Sequence, residues 1–345
     1  VKTTAAVLVE LNTPLELAEL EIPALKAGQV LVEIAFSGVC RTQLLECRGH
    51  RGEDPYLPHC LGHEGSGIVR EVGTDVAKCK SGDQVILSWM KGFGHDVPRT
   101  VYNWNGRGVN AGGVTSFARH VVVSENRIVV IRRPIELRDA AFLGCAVPTG
   151  AGAVFNTAAV RPGQSLAVFG TGGIGLFSVM AAASIPATPI IAIDVNQDRL
   201  EAARKSGATH LIDASATDSV AAIRMICPEG VDFAIEATGR PSVMQQSLAA
   251  VRCRGGVAVV VGNARHGERI EIDPAELNQG KRLLGTWGGD NQPDRDFPHY
   301  EELVARGTMN LQPLMSEAYP LSQVNQALDD LECGRVVRPI IDMNL

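Results

Sequence analysis

Three short stretches of this 345-residue sequence place metal-ligating side chains among glycines. GVCRTQLLECRGH (38–50) holds Cys40 and Cys47, LGHEGSG (61–67) holds His63 and Glu64, and FLGCAVPTG (142–150) holds Cys145. Cys40, His63 and Cys145 make a Cys2His set. Three protein ligands with an open fourth position suit a catalytic zinc ion, a Lewis acid that lowers the pKa of a bound hydroxyl. These ligands are distant in sequence, so spacing alone leaves a plainer reading open. A lone cysteine is most often a buried thiol. His63 also suits a polar residue in a glycine turn, Glu64 a surface carboxylate, Arg41 and Thr42 a helix start, and Trp89 a core aromatic.

A second chemistry is written in GTGGIG (170–175). It follows the apolar run LAVFG and opens a helix expected over Ile174–Ser184. Here Gly170 permits a tight turn, Gly172 lets the backbone approach a pyrophosphate, and Gly175 allows close helix–strand contact, with Gly173 and Ile174 completing the motif. The helix N-terminus favours phosphate charge. Asp194 ends the next expected strand, IIAID (190–194), where a carboxylate meets the ribose hydroxyls of NAD and repels the extra phosphate of NADP. Arg199, close by, can reach the ribose or its phosphate and softens that preference. The plainer alternative is a helix-packing glycine cluster with Asp194 as a strand-end cap.

The elements that must position these groups are of two kinds. A chain of this length points to two domains. The first ~150 residues read as short strands in a barrel-like antiparallel domain. The strand candidates are 29–39, 65–76, 82–89 and a pair within 116–131. TGAGAVFNTAAV (149–160) reads as a packed helix. Strands and helices then alternate through LAVFG, IIAID, a helix at Gln197–Ser206 stopped by Gly207, HLIDA, VDFAIEATG and GGVAVVVG, which implies a doubly wound parallel sheet. Past 283–289 the chain turns helical again and closes on the strand VVRPII (336–341). Apolar residues make up 45% of the chain, as suits an α/β protein, and the net charge of −6 argues against a nucleic-acid or anionic-membrane partner. No apolar run approaches a membrane span, and the N-terminus has no signal pattern. The eight cysteines form no CxxC pair, which suits reduced thiols in a cytoplasmic protein.

GVCRT, GHEGSGIVREVG, GDQVI, GCAVPTGAGAVFNTA and GTGGIG, in this order along the chain, resemble the zinc-containing medium-chain dehydrogenase family, the alcohol dehydrogenases. The resemblance implies an α/β protein with a GroES-like β-barrel catalytic domain (1–147 and 288–345) and a Rossmann domain (148–287). It implies one catalytic zinc ion, NAD, and hydride transfer between an alcohol and an aldehyde or ketone. Carried onto this sequence, Cys40, His63 and Cys145 hold the zinc, with Glu64 behind the metal as a transient fourth ligand. Thr42 bridges the alcohol oxygen and passes its proton outward. Arg41 and Arg338 contact the pyrophosphate, Thr149 packs near the nicotinamide, and Val261, Gly262 and Asn263 line its pocket. Trp89 falls where the family places a large side chain of the substrate pocket. Cys47, Cys60, Cys79, Cys227, Cys253 and Cys333 remain structural thiols. A homodimer is implied, or a tetramer, with Rossmann sheets pairing at an edge, and the partner is a small-molecule alcohol or carbonyl.

Three departures stand out. Many family members bind a second, structural zinc through four cysteines, but the matching stretch 88–117 contains none. One zinc per chain is therefore expected, with Tyr102 and Trp104 packing in place of the cross-link. The residue after Thr42 is commonly Asp in the family and here is Gln43, a neutral partner expected to weaken zinc binding or the catalytic rate, or to tune the site to another substrate. The proton-relay histidine is replaced by Leu45, leaving the cofactor ribose, water or His50 as routes. Rival readings are a polyol dehydrogenase of the same family, a zinc-free quinone or enone reductase of this fold, and a non-enzymatic binding protein.

Overall fold

The computed structural model describes residues 2–345, Pro313 by its backbone alone. Two compact units emerge: residues up to Ala146 with 292–306 and 314–345, and residues 147–291 with 307–313.

The first unit begins with β1 (Lys2–Leu8), β2 (Glu16–Glu21), β3 (Gln29–Gly38), α1 (Arg41–Cys47), β4 (His59–Cys60) and β5 (Glu64–Val72). It continues with β6 (Gln84–Ser88), β7 (Val101–Trp104), β8 (Arg107–Asn110), β9 (His120–Ser124), β10 (Ile128–Val130) and α2 (Leu137–Phe142). Strands β1-β2-β7-β8-β4 close a small barrel, while β10-β6-β5-β3 run side by side in a larger sheet with β9 also on β3. Val30, Val32, Val69 and Val121 are buried along β3, β5 and β9, in one core with Leu8 and Leu20 of the barrel. The strand expected over 65–76 stops at Val72; the chain turns just beyond, where Asp75 takes positive φ.

α3 (Ala146–Gly152) leads into the second unit, and the chain continues as a wider π-helical turn over Ala153–Thr157 rather than as one regular helix. There follow β11 (Leu166–Phe169), α4 (Gly173–Ser184), β12 (Ile190–Asp194), α5 (Gln197–Lys205), β13 (His210–Asp213) and α6 (Ser219–Ile226). Then come β14 (Phe233–Glu236), α7 (Pro241–Ala250), β15 (Val257–Val260), α8 (Pro274–Asn278) and β16 (Arg282–Gly285). The six strands form one parallel sheet in the order β13-β12-β11-β14-β15-β16. Every residue of β11 and β12 is buried, as expected for a parallel sheet covered on both faces. The chain leaves β11 toward one edge and restarts at β14 toward the other, and the ends of β11 and β14 make the switch point where such sheets bind ligands.

The chain then returns to the first unit with α9 (Pro293–Ala305), β17 (Met315–Pro320), α10 (Val324–Glu332) and β18 (Arg338–Asp342). β18 pairs antiparallel with β3 and completes the larger sheet. Among the described residues no helix is long and apolar enough to cross a membrane.

The cysteine-free stretch carries the β7–β8 hairpin, turned at Asn105–Gly106, where both residues take positive φ. Tyr102 is buried, and its hydroxyl oxygen accepts a hydrogen bond from Val122 N–H at 2.9 Å. Trp104 packs partly buried against the same core. The Tyr102→Phe variant leaves Val122 N–H without that partner, at a cost of about 1–3 kcal/mol. Chemical denaturation should show a lower midpoint than for the unchanged chain.

Candidate metal centre and nucleotide turn

Each presumptive ligand lies at the end of a regular element. Cys40 is the N-cap of α1, just past β3; His63 precedes β5; Cys145 follows α2. Their ligand atoms all lie within 4.8 Å of one another. His63 Nε2 is buried and has no hydrogen-bond partner. A buried, unpartnered imidazole nitrogen beside two sulfurs is costly by itself and fits a metal ligand. The donor set therefore fits a zinc ion.

Close approach to Glu64 explains two of the neighbouring glycines. A Cβ on Gly38 would sit 2.7 Å from Glu64 Cδ, and one on Gly144 would collide with Leu87 O and press on Glu64 Cα. Glu64 is fully buried. One carboxylate oxygen pairs with the Arg338 guanidinium, and the other accepts from Ala146 N–H at 3.2 Å. The three-donor cluster itself holds Cys40, His63 and Cys145. Arg338 is buried as well, pairs with Glu64, and stacks over Phe142 at 5.6 Å.

The ligands are held from behind by polar groups. Gln43, the third residue of α1, is buried; its Oε1 accepts from Cys40 N–H at 2.8 Å, and its side-chain nitrogen contacts His63 Nδ1. Ser88 Oγ donates to Gly144 O at 2.6 Å and so fixes the turn before Cys145. Trp89 Nε1–H donates to Cys145 Sγ at 3.3 Å, a contact that sequence reading missed. Thr42 Oγ1 lies 3.8 Å from Cys40 Sγ, and Arg41 is exposed.

The hydrogen bond with Cys145 holds the Cys40 thiol well below its ordinary range against the effect of burial, with His63 and Arg338 assisting. Cys145 is driven up by that same bond and by burial. Burial pushes the Cys47 and Cys60 thiols up to about 12, so these two neighbours are inert thiols.

The second unit arranges the GTGGIG turn. Gly170 has φ +87, and a Cβ on Gly175 would collide with Gly170 O. Gly173 and Ile174 begin α4 behind the half-buried Gly172. Asp194 Oδ2 accepts from Thr171 N–H at 2.7 Å, while Oδ1 accepts from Val195 N–H and Asn196 N–H. It therefore pins the turn from the end of β12. The Arg199 backbone N–H donates to the Asn196 cap of α5. Thr149 is buried in α3, whose Gly150 packs against Ile174 O of α4. Val261 and Gly262 donate their N–H groups to Glu236 O, and Asn263 is exposed. Glu236, also missed in the sequence, is fully buried; its Oε1 accepts from Thr238 N–H at 2.7 Å and Gly239 N–H at 3.0 Å. Gly239 and Gly262 are in backbone contact, so this one carboxylate organises the loops after β14 and β15.

Comparison with known proteins agrees with this layout. Residues 26–133 match the alcohol dehydrogenase GroES-like domain, and residues 173–306 match the zinc-binding dehydrogenase domain. The S-(hydroxymethyl)glutathione dehydrogenase of Synechocystis sp. is 34% identical, the match covering 99% of each chain. The chain belongs to the zinc-containing alcohol dehydrogenase family. Among solved structures, benzyl alcohol dehydrogenase from Acinetobacter calcoaceticus is 31% identical and superposes with a TM-score of 0.89 over 99% of each chain. An alcohol dehydrogenase zinc-binding domain protein from Burkholderia ambifaria gives 0.90 at 33% identity over 99% of each chain. Within this zinc alcohol dehydrogenase, the first unit is GroES-like and the second carries the Rossmann-type sheet.

Burial pushes the Glu236 carboxyl above its ordinary value of 4.5, against the opposing bonds from Thr238 and Gly239. A raised folded-state pKa contributes stability that is full at low pH and is lost as pH rises through that pKa. Glu236→Gln does not titrate. Between pH 4 and pH 8 the unchanged chain should therefore lose unfolding free energy relative to this variant, as read from denaturant midpoints at the two pH values.

Proposed function

We propose that this protein is a zinc- and NAD-dependent dehydrogenase that oxidises an alcohol to an aldehyde or ketone, with one zinc per chain. The convergence of Cys40, His63 and Cys145 around an unpartnered imidazole nitrogen carries this reading. When bound, zinc supplies Lewis acidity toward a hydroxyl and NAD supplies the hydride acceptor. The remaining work falls to the chain. Cys40, His63 and Cys145 would hold the ion, and Glu64, next to His63, pairs with Arg338. Thr42 takes the hydroxyl proton and passes it outward. Trp89 walls the substrate space while its N–H holds Cys145. The half-buried Gly172 and the N-terminus of α4 receive the pyrophosphate, with Arg41 as an exposed countercharge. Asp194 accepts the ribose hydroxyls, with Arg199 nearby, and Thr149, Val261, Gly262 and Asn263 surround the nicotinamide. The GroES-like catalytic domain is assigned to 1–147 with 288–345, and the Rossmann domain to 148–287, close to the two compact units.

The relatives named above act on S-(hydroxymethyl)glutathione and benzyl alcohol, so both belong in a first substrate panel read by absorbance of the reduced cofactor. Eight free thiols suit a reducing, cytoplasmic setting. The partner is a second copy of the chain. β16 forms an edge of the parallel sheet, with Leu284 on it and the strongly exposed Trp287 just beyond.

Metal analysis tests the core of this reading: about one zinc per chain is expected. Cys40→Ala should remove zinc and turnover while NAD still binds, seen as unchanged cofactor titration; unchanged turnover overturns the assignment. Asp194→Gly should shift preference from NAD toward NADP, in the ratio of kcat/KM for the two cofactors. Because Asp194 also pins Thr171, NAD affinity should fall as well.

A further inference from the structure

Gln43 touches two of the three ligand-bearing residues through opposite ends of its side chain. Its oxygen is committed. As the third residue of α1 it closes a capping box with Cys40, accepting from Cys40 N–H at 2.8 Å, and that cap fixes the direction in which the Cys40 sulfur projects. The amide nitrogen is thereby the end turned to His63 Nδ1. An amide nitrogen only donates, so Nδ1 must accept, and a neutral imidazole whose Nδ1 accepts carries its proton on Nε2. Nε2 is the buried atom aimed at the two sulfurs.

A zinc ion on Nε2, the reading proposed above, requires the other tautomer. The ring proton must then sit on Nδ1, where it faces the donor end of Gln43. Turning the amide over relieves His63 but sets the –NH2 against Cys40 N–H. The two donors then compete for the one amide oxygen, whose bond runs to Cys40 N–H, and the competition opposes entry of the metal. We propose that Gln43 is a positioning residue that keeps zinc exchangeable at this site by favouring the His63 tautomer that cannot bind it. A carboxylate at the same place would accept from Cys40 N–H and Nδ1–H together and remove the conflict.

The test is zinc competition against a chromophoric chelator with the full-length chain and its Gln43→Glu variant, alongside histidine 15N NMR of the zinc-stripped, unchanged chain. Gln43→Glu should hold zinc about 10–100-fold more tightly. The zinc-stripped chain should show the His63 ring proton on Nε2, its signals assigned by their loss in His63→Gln. Equal or weaker zinc affinity in folded Gln43→Glu overturns the proposal, as does a proton on Nδ1 in the zinc-stripped chain. If the variant does not fold, the NMR result alone decides. Failure of the unchanged chain to take up any zinc would instead sink the zinc reading itself, and this proposal with it.

Discussion

The first unit is organised around a buried ion pair, Glu64 with Arg338. Neither charge reaches water, and a buried carboxylate without its partner is strongly destabilising. The two residues are 274 positions apart in sequence, one opening β5 and the other opening β18. The last strand must therefore return beside β3 before Glu64 is tolerable where it lies. Gly38 and Gly144 leave the room that its carboxylate and backbone occupy. The ligand Cys145 lies beside Gly144, Cys40 two residues past Gly38, and His63 next to Glu64 itself. The geometry of the metal centre is in this sense a by-product of burying one salt bridge.

A related device recurs in the second unit, here through hydrogen bonds to backbone N–H. Asp194 ends β12 and grips the turn after β11 through Thr171; Glu236 ends β14 and grips the following loop through Thr238 and Gly239. In both cases a carboxylate at the C-terminal end of a parallel strand converts a flexible glycine loop into a defined surface. N–H groups that would otherwise point at solvent are bonded inside the protein.

Much of this was legible in the sequence, for reasons that can be stated. The strands 166–169 and 190–194 announce themselves by unbroken apolar runs between turn signals, and the glycine motif by its neighbours. The three ligands needed the family resemblance, because no local pattern joins residues 40, 63 and 145. Glu236 was invisible: a single Glu at a strand end is equally a surface residue until the loops that bond to it are placed. Trp89 was read as a pocket wall, since an indole N–H shows its acceptor only in three dimensions. Arg338 illustrates the opposite difficulty. The resemblance assigned it to the pyrophosphate, and its pairing with Glu64, 274 positions away, is announced by no local pattern. The β7–β8 hairpin could have been found, because Asn-Gly between short alternating segments is a strong turn signal.

That hairpin has a consequence for the life of the protein in a cell. It is closed by an aromatic hydroxyl on a backbone amide and by packing of Tyr102 and Trp104, in a stretch free of cysteine. Its register consequently depends on neither zinc supply nor the redox state of thiols. Loss of the metal or oxidation of a thiol therefore removes no cross-link on which the hairpin itself relies.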